Sequence, residues 1–199
     1  GHAGTLDPLA TGLLIICTGR MTKQIDHFQA QEKVYTGTFL LGQTTPSYDM
    51  ECEPDAFFPT DGITVEMMEE ARKQFIGEIL QRPPKFSAIK INGKRAFDYA
   101  RSDKEIEMKE RLVTIEDFKL DYSEFPKINF EVKCSKGTYI RSLAHDFGKA
   151  LGNGACLISL RRTKIGDFDV ANARDLFELK REIQVTGTEY REEVETLNM

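Results

Sequence analysis

The hydrophobic pattern of residues 128–151 changes from a period of two to the period of a helix. A half-buried strand is predicted by four apolar residues that alternate with polar neighbours: Ile128, Phe130, Val132 and Cys134. Thr138 then opens a predicted helix, which it can cap, and an apolar stripe with three- and four-residue spacing continues this helix through Leu151 until Gly152 ends it. A strand followed at once by a helix favours a fold in which a sheet and helices share one core.

The rest of the chain mixes strand-like and helix-like segments in no regular order. Strands are predicted over residues 34–42, 113–121 and 155–160. Asn92-Gly93 predicts a tight hairpin, which a short helix over residues 96–101 would follow, and a longer helix is predicted from its N-cap Thr64 to Ile76. An apolar element and a turn-rich loop are predicted over residues 9–17 and 43–62. Because no βαβ rhythm is present, we predict an α+β fold with a mixed, mostly antiparallel, twisted sheet and flanking helices.

The charge of the chain is unevenly distributed. Its 199 residues are 40% hydrophobic and 30% charged, which is ordinary for one globular domain, and the net charge is −5. Two segments are nevertheless basic: residues 82–104 hold seven Lys or Arg against two Asp, and residues 133–164 hold seven against one. Such segments can attract a polyanion despite the acidic remainder, although two solvated surface stretches would have the same composition.

Cysteine and histidine spacing favours neither a metal site nor a disulfide framework. The four cysteines are Cys17, Cys52, Cys134 and Cys156, with no CxxC pair among them, and the three histidines stand far apart. We therefore expect free thiols in a reducing cytoplasm and no bound metal. No apolar run approaches the roughly 20 residues that a membrane helix needs, so no membrane association is expected.

Three residue patterns could carry chemistry. Asp7-Pro8 predicts a turn, because proline fixes its own φ and favours an extended conformation of Asp7. Asp7 lies in a glycine-rich stretch ahead of an apolar element, where it is either an exposed nucleophile or base, or a turn residue bonding its own backbone. Arg141 falls in the first turn of a predicted helix, where a cation opposes the helix dipole, so it either has an anionic partner or is solvated. Tyr35 begins a predicted strand, where it could pack or could stack on a base.

The exact amino-acid sequences of five segments give a further indication of function. In chain order they read GHAGTLDPLATGLL, VYTGTFLLGQTTPSYD, RPPKFSAIKINGKRAFDYAR, SKGTYIRSLAHDFGKALG and LRRTKIGDF. Together they resemble the TruB family of tRNA pseudouridine synthases, and its bacterial members more than the dyskerin-like ones, from residue 1 to about residue 170. The resemblance implies the pseudouridine synthase fold with a catalytic cleft. It also implies isomerisation of uridine to pseudouridine in the T-loop of tRNA, at position 55, without a cofactor.

The resemblance implies three catalytic residues. The Asp of the family's G-H-x-G-x-L-D-P motif is its nucleophile, which corresponds to Asp7. The Arg of the G-T-Y-I-R motif pairs with that Asp, which corresponds to Arg141. The Tyr at the start of the second segment stacks on the target uracil, which corresponds to Tyr35.

Further residues are implied as contacts to the RNA. Tyr139 lines the pocket, Leu160 packs under the base, His2 fills the space that the flipped-out base leaves, and Asp49 lies near the site. The two basic segments would hold phosphates around a folded RNA loop, and these phosphate contacts are represented by Lys90, Lys136 and Arg161.

The resemblance also sets expectations for organisation. Residues 1–180 would form the catalytic domain, lacking the family's usual upstream D-K-P-x-G-x-x-S segment. Residues 181–199 would form a tail too short for the RNA-binding domain that many bacterial members append. We expect a cytoplasmic monomer that needs tRNA as its partner and no obligate protein partner.

Three other functions are compatible with the residues. An RNA-binding or tRNA-folding protein would keep the pocket without depending on turnover. A metal hydrolase using His2 and Asp7 lacks an evident third ligand. An inert structural domain would tolerate the loss of Arg141.

Overall fold

A single large sheet is the main element of the fold. The computed structural model describes residues 1–85, 90–91, 94–95 and 108–184, and only the backbone is described for residues 90–91 and 94–95. The strands of the sheet are β1 (Ala10–Gly12), β2 (Lys33–Leu41), β5 (Gly77–Gln81), β8 (Arg111–Glu124), β9 (Lys127–Cys134), β10 (Ala155–Ile165) and β11 (Phe168–Asp169). The strand order is β1-β10-β2-β9-β8-β5, with β11 paired to β10. Only β1 and β10 run parallel among these pairs, which confirms the mixed, mostly antiparallel α+β prediction.

Short elements complete the described chain. Two separate hairpin-like pairs are formed by β3 (Gln43–Thr44) with β4 (Ala56–Phe57) and by β6 (Lys90–Ile91) with β7 (Lys94–Arg95). The helices are α1 (Ile25–Ala30), α2 (Val65–Lys73), α3 (Ile140–Ala150) and α4 (residues 176–184), with 3-10 turns at Gly19–Gln24 and Val170–Asn172. The β6–β7 pairing confirms the hairpin prediction, whereas the helix predicted at 96–101 and residues 185–199 lie outside the described residues.

The core lies between the sheet and α3, with α2 beside it. Alternate residues of β9 are buried as the sequence pattern predicts, and they meet fully buried side chains of α3 and the central strands. These include Phe39, Ile115, Phe118, Leu143 and Phe147. Phe39 stacks on Phe130 with 4.3 Å between ring centroids, so aromatic contacts join β2 to β9. This packing holds α3 against the face of the sheet.

Several predicted boundaries are wrong for physical reasons. Residues 9–17 form only the three-residue β1, because the chain beyond Gly12 leaves the sheet and pairs with the first residues instead. Thr138 does not cap α3: its hydroxyl donates to the Ser135 carbonyl, and the N-cap is Tyr139. By contrast Thr64 does cap α2, accepting from the Met67 amide at 3.3 Å.

Candidate active site

Asp7 and Arg141 form a two-pronged ion pair although 134 residues separate them. The Arg141 guanidinium donates from Nε to Asp7 Oδ2 at 2.9 Å and from Nη2 to Asp7 Oδ1 at 2.8 Å. The Arg141 side chain is 3% exposed and that of Asp7 is 35% exposed. This fork geometry fixes the carboxylate in both position and orientation, while its outer face stays open to a substrate. The anionic partner predicted for Arg141 is therefore a carboxylate.

A tight turn and a close strand contact place Asp7. The Asp7 carbonyl accepts from the Ala10 amide at 2.9 Å, so Asp7-Pro8 forms the predicted turn. β1 follows at once and runs parallel to β10, with Gly12 opposite Arg162. Gly12 has φ +102°, and a Cβ there would lie 2.2 Å from the Arg162 carbonyl oxygen. Only glycine permits this approach, which brings the Asp7-Pro8 turn to the edge of the sheet.

Arg162 is a buried arginine that sequence reasoning missed. Its Nε donates to the Leu13 carbonyl at 2.9 Å and its Nη2 donates to the Gly4 carbonyl at 3.1 Å. The two acceptors lie on either side of Asp7 in the chain, so one guanidinium ties both ends of the segment that carries it. Its neighbour Arg161, which was predicted instead, is exposed. The only signal that separates the two is strand alternation, since Arg162 faces inward when Arg161 faces solvent.

We expect Arg162→Lys to lower the free energy of unfolding by about 1–3 kcal/mol, because an ammonium cannot reproduce the fork and one buried carbonyl loses its donor. Urea denaturation followed by circular dichroism measures the change. The matched control is Arg161→Lys, where the exposed side chain only donates to Thr11 Oγ1 at 3.4 Å. The control should change the free energy by less than about 0.5 kcal/mol, and equal effects in the two variants would contradict this role for Arg162.

A glutamine side chain sets the start of α3. The Gln81 amide oxygen accepts from the Tyr139 amide at 2.7 Å, and its Nε2 donates to the Tyr139 carbonyl at 3.0 Å. Ser142 Oγ also donates to the Arg82 carbonyl at 2.7 Å. These bonds join the end of β5 to the first turn of α3 and so locate Arg141. A buried glutamine at the end of a strand was not recognised from the sequence, because its partner is distant in the chain.

A cavity of about 100 Å³ lies beside the ion pair. Its lining includes Asp7, Tyr35, Tyr139 and Leu160, so the structure brings together four of the predicted site residues. Burial raises the pKa of the Tyr35 hydroxyl above its usual value, and the nearby Arg162 offsets this only in part. Tyr35 is therefore a neutral phenol near pH 7, and its ring is available for stacking on a flat ligand.

A second carboxylate approaches Arg141 from the turn after β3. Asp49 Oδ2 lies 3.6 Å from Arg141 Nε, and the Asp49 side chain is 5% exposed. Asp49 Oδ1 accepts from the Glu51 amide at 3.0 Å. Asp49, which the resemblance puts near the site, therefore lies close to Arg141, and the same Nε atom of Arg141 lies within 4 Å of both the Asp7 and the Asp49 carboxylates.

The other predicted contacts lie away from the cavity lining in the described part of the chain. His2, Lys136 and Arg161 are exposed, with His2 bridged to Ile16 and Lys136 in the turn before α3. Lys90 lies in β6, where only the backbone is described. Within residues 1–85 and 108–184, no group of three His, Cys, Asp or Glu side chains is arranged to hold a metal ion. No helix in the same ranges is long and apolar enough to cross a bilayer.

Comparisons with known proteins show the family to which the chain belongs. A model of the TruB family pseudouridylate synthase N-terminal domain matches residues 1–140, and a model of the tRNA pseudouridylate synthase B C-terminal domain matches residues 141–197. The chain belongs to the TruB family of pseudouridylate synthases. The border between the two matched models falls inside α3, between the residues that begin its first turn, so it is not a boundary between separate structural units.

Bacterial relatives of high identity support the TruB assignment. A tRNA pseudouridine synthase B of Flavobacterium johnsoniae is 58% identical over 88% of this chain and 77% of its own length. One from Parabacteroides distasonis is 57% identical over 84% of this chain and 71% of its own. Since pseudouridine synthases convert one isomer of a nucleoside into another, membership of the TruB family makes this protein an isomerase.

Solved structures of the pseudouridine synthase fold match the sheet and helices. A Cbf5–Nop10–Gar1 complex contains a chain with a TM-score of 0.62 and 27% identity, covering 85% of this chain and 41% of that one. An H/ACA RNP bound to a substrate RNA containing 2′-deoxyuridine matches with a TM-score of 0.59 and 26% identity, over 85% and 39%. The fold predicted from the TruB resemblance is thereby confirmed, and this chain spans about two fifths of the length of those matched chains.

Proposed function

We propose that this protein isomerises uridine to pseudouridine in the T-loop of tRNA, at position 55, with Asp7 as its nucleophile. The observation that carries the proposal is the Asp7–Arg141 fork beside a cavity that Tyr35 lines. The two bacterial relatives described above are named for the same reaction class on tRNA. A carboxylate held on one side by arginine and open on the other suits attack on an electrophilic carbon.

The reaction exchanges one bond to the sugar for another. The glycosidic C–N bond between the uracil and the anomeric carbon breaks, and a C–C bond between ring carbon C5 and the same sugar carbon forms. The proton on C5 leaves and the former glycosidic nitrogen gains one, so no electrons are gained or lost. The Asp7 carboxylate attacks either the anomeric carbon or the uracil ring, and both positions suit an anionic oxygen nucleophile.

The cavity walls would hold a base taken out of its stack. Flipping a nucleotide costs a few kcal/mol. Stacking on the Tyr35 ring recovers about 1–3 kcal/mol. Leu160 packs under the base and Tyr139 lines the pocket, while Asp49 contacts Arg141 at 3.6 Å and so supports its position. In the RNA, His2 fills the space that the base vacates.

Basic side chains would hold the RNA backbone around this cavity. Lys136 and Arg161 are exposed at the surface, where each can reach a phosphate. We assign Lys90 the same role from its place in a basic segment. The catalytic unit comprises residues 1–180, since strands from β1 to β11, apart from the separate pairs β3–β4 and β6–β7, share one sheet. It acts as a cytoplasmic monomer without an obligate protein partner, in keeping with the free thiols of Cys17 and Cys134.

The direct test uses a T-stem-loop RNA carrying uridine tritiated at C5. Forming the new C–C bond releases that tritium to water, so we expect one tritium per RNA with the wild-type protein. The control is the same hairpin with cytidine at the target position and tritiated uridine elsewhere, which should release none. Binding of the hairpin without tritium release would overturn the proposal in favour of an RNA-binding protein.

A further inference from the structure

A second segment contacts Arg141 besides the one that carries Asp7. This segment, the turn at residues 45–49, places the Ser47 carbonyl 3.5 Å from Arg141 Nη1 and the Asp49 carboxylate 3.6 Å from Arg141 Nε. Tyr48 lies between these two residues in the chain. Any rotation of the Tyr48 backbone would therefore move both acceptors relative to the guanidinium.

Tyr48 holds an unusual backbone conformation. Its φ is +65°, and it is the one non-glycine residue with positive φ in the described part of the chain. A left-handed conformation costs an L-residue about 1–2 kcal/mol and persists where neighbouring contacts enforce it. The Tyr48 amide donates to the Thr45 carbonyl at 3.1 Å, and the Tyr48 carbonyl accepts from the Leu157 amide at 2.9 Å.

A ring stack adds the third constraint on Tyr48. Its ring lies on the imidazole of His145, with 4.0 Å between centroids and 15° between planes. His145 is in α3, four residues after Arg141, which places it about one helical turn further along the same face. The stack therefore links the 45–49 turn to the helix that carries Arg141, one turn away from the ion pair.

His145 contacts Tyr48 through the face of its ring and not through a hydrogen bond from Nδ1. That nitrogen is buried and has no hydrogen-bond partner among residues 1–85 and 108–184. Burial lowers the pKa of His145 below its usual value, and the charge of Lys149 lowers it further. The imidazole is thus neutral near pH 7, and its contact with the neutral Tyr48 ring is one of packing.

We propose that the Tyr48–His145 stack is a positioning pair that aligns the Arg141 guanidinium with Asp7. The stack holds the 45–49 turn in register with α3, so the Ser47 and Asp49 oxygens keep Arg141 in the rotamer that reaches Asp7. The alignment follows from the contacts alone, whereas its catalytic consequence rests on the proposed function. A catalytic group displaced by 1 Å can lose about 100-fold in rate, so such support has a measurable effect.

The first test reads the alignment without catalysis. The Arg141 Nε–H proton donates to Asp7 and is buried, so its exchange with water should be slow in ¹⁵N-resolved NMR spectra. Its resonance is assigned by its loss in Arg141→Lys. We expect His145→Ala to speed this exchange at least about tenfold, since a freed guanidinium reaches solvent. His145→Phe, which keeps a flat ring, should restore slow exchange.

A control and a second variant separate alignment from general damage. His27→Ala removes an exposed ring that makes an edge contact with Phe28 far from Arg141 in the chain, and it should leave the exchange unchanged. Tyr48→Gly removes the stack while glycine adopts positive φ freely, so the turn stays folded. It should accelerate exchange as His145→Ala does, and slow exchange in both variants would overturn the proposal.

The second test measures single-turnover tritium release from the T-stem-loop RNA. His145→Ala should lower the rate about 10–100-fold with the RNA dissociation constant changed less than about twofold, and His145→Phe should recover most of the rate. Equal rates in wild type and His145→Ala would overturn the catalytic part. If the wild type releases no tritium, the proposed function fails, while the exchange experiment still decides the alignment.

Discussion

Asp7→Asn should abolish pseudouridine formation while leaving RNA binding nearly intact. The amide keeps the size of the side chain and one oxygen for Arg141, but it loses the negative charge and the nucleophilic oxygen. Removing an enzyme's nucleophile typically costs at least about 10⁴-fold in the rate of the chemical step. Single-turnover tritium release from the T-stem-loop RNA measures this loss, and fluorescence anisotropy measures the affinity.

The control for Asp7→Asn is Asp26→Asn, an exposed carboxylate in the first turn of α1. It changes the net charge by the same amount and should leave the rate within about twofold, since its contribution is that of a surface group. If Asp7→Asn keeps more than about 1% of the wild-type rate, Asp7 is not the nucleophile. Loss of RNA affinity in parallel with the rate would point instead to a binding role.

Arg141→Met should destabilise the protein by about 3–5 kcal/mol, because it leaves charged partners in a buried site without their counter-charge. Methionine fills much of the same volume, so the change reports the missing charge and donors rather than a cavity. Asp7 and Asp49 would then both lose the counter-charge that they share. Urea denaturation gives the free energy of unfolding, and we expect pseudouridine formation to be lost as well.

Two further variants isolate the ion pair. Asp7→Asn combined with Arg141→Met should be more stable than Arg141→Met alone, since one of the stranded carboxylates is gone. Arg174→Met breaks an exposed ion pair with Glu182 and should cost less than about 1 kcal/mol. A loss below about 1 kcal/mol in Arg141→Met would show that the buried pair contributes little, and additive effects of the Asp7 and Arg141 changes would show that the two side chains are not coupled.

Local pattern predicted most of the elements that build the site. The alternation in β9, the stripe of α3 and the Asp7-Pro8 turn all depend on neighbours within a few residues, and each is present. The predictions that the structure contradicts concern the ends of helices and strands. Tyr139 replaces Thr138 as the N-cap because Gln81, 58 residues earlier, satisfies the backbone of Tyr139. Such a partner leaves no local signal.

The site residues show the same difference between those that the sequence indicated and those that only the structure revealed. The family motifs in the sequence pointed to Asp7, Tyr35 and Arg141, and the fold brings all three to one place. Arg162, Tyr48 and His145 were not chosen, although two of them lie directly beside residues that were. Their importance depends on direction: Arg162 faces inward where Arg161 faces water, and Tyr48 meets a ring from another element.

By itself the sequence determined the kinds of elements, the glycine positions that allow close approach, and the family to which the motifs belong. The kinds of elements and the glycine positions depend on backbone preferences and hydrophobic periods, which act over one or two turns of chain, whereas the family rests on the resemblance of five motifs. Only the tertiary structure gave the two-pronged geometry of the Asp7–Arg141 pair, the contact of Asp49 with the same guanidinium, and the role of Arg162 in holding both sides of the segment that carries Asp7. Charges and donors act through space, and the pairing of β1 with β10 and the packing of α3 on the sheet bring residues 7, 49, 141 and 162 within their reach.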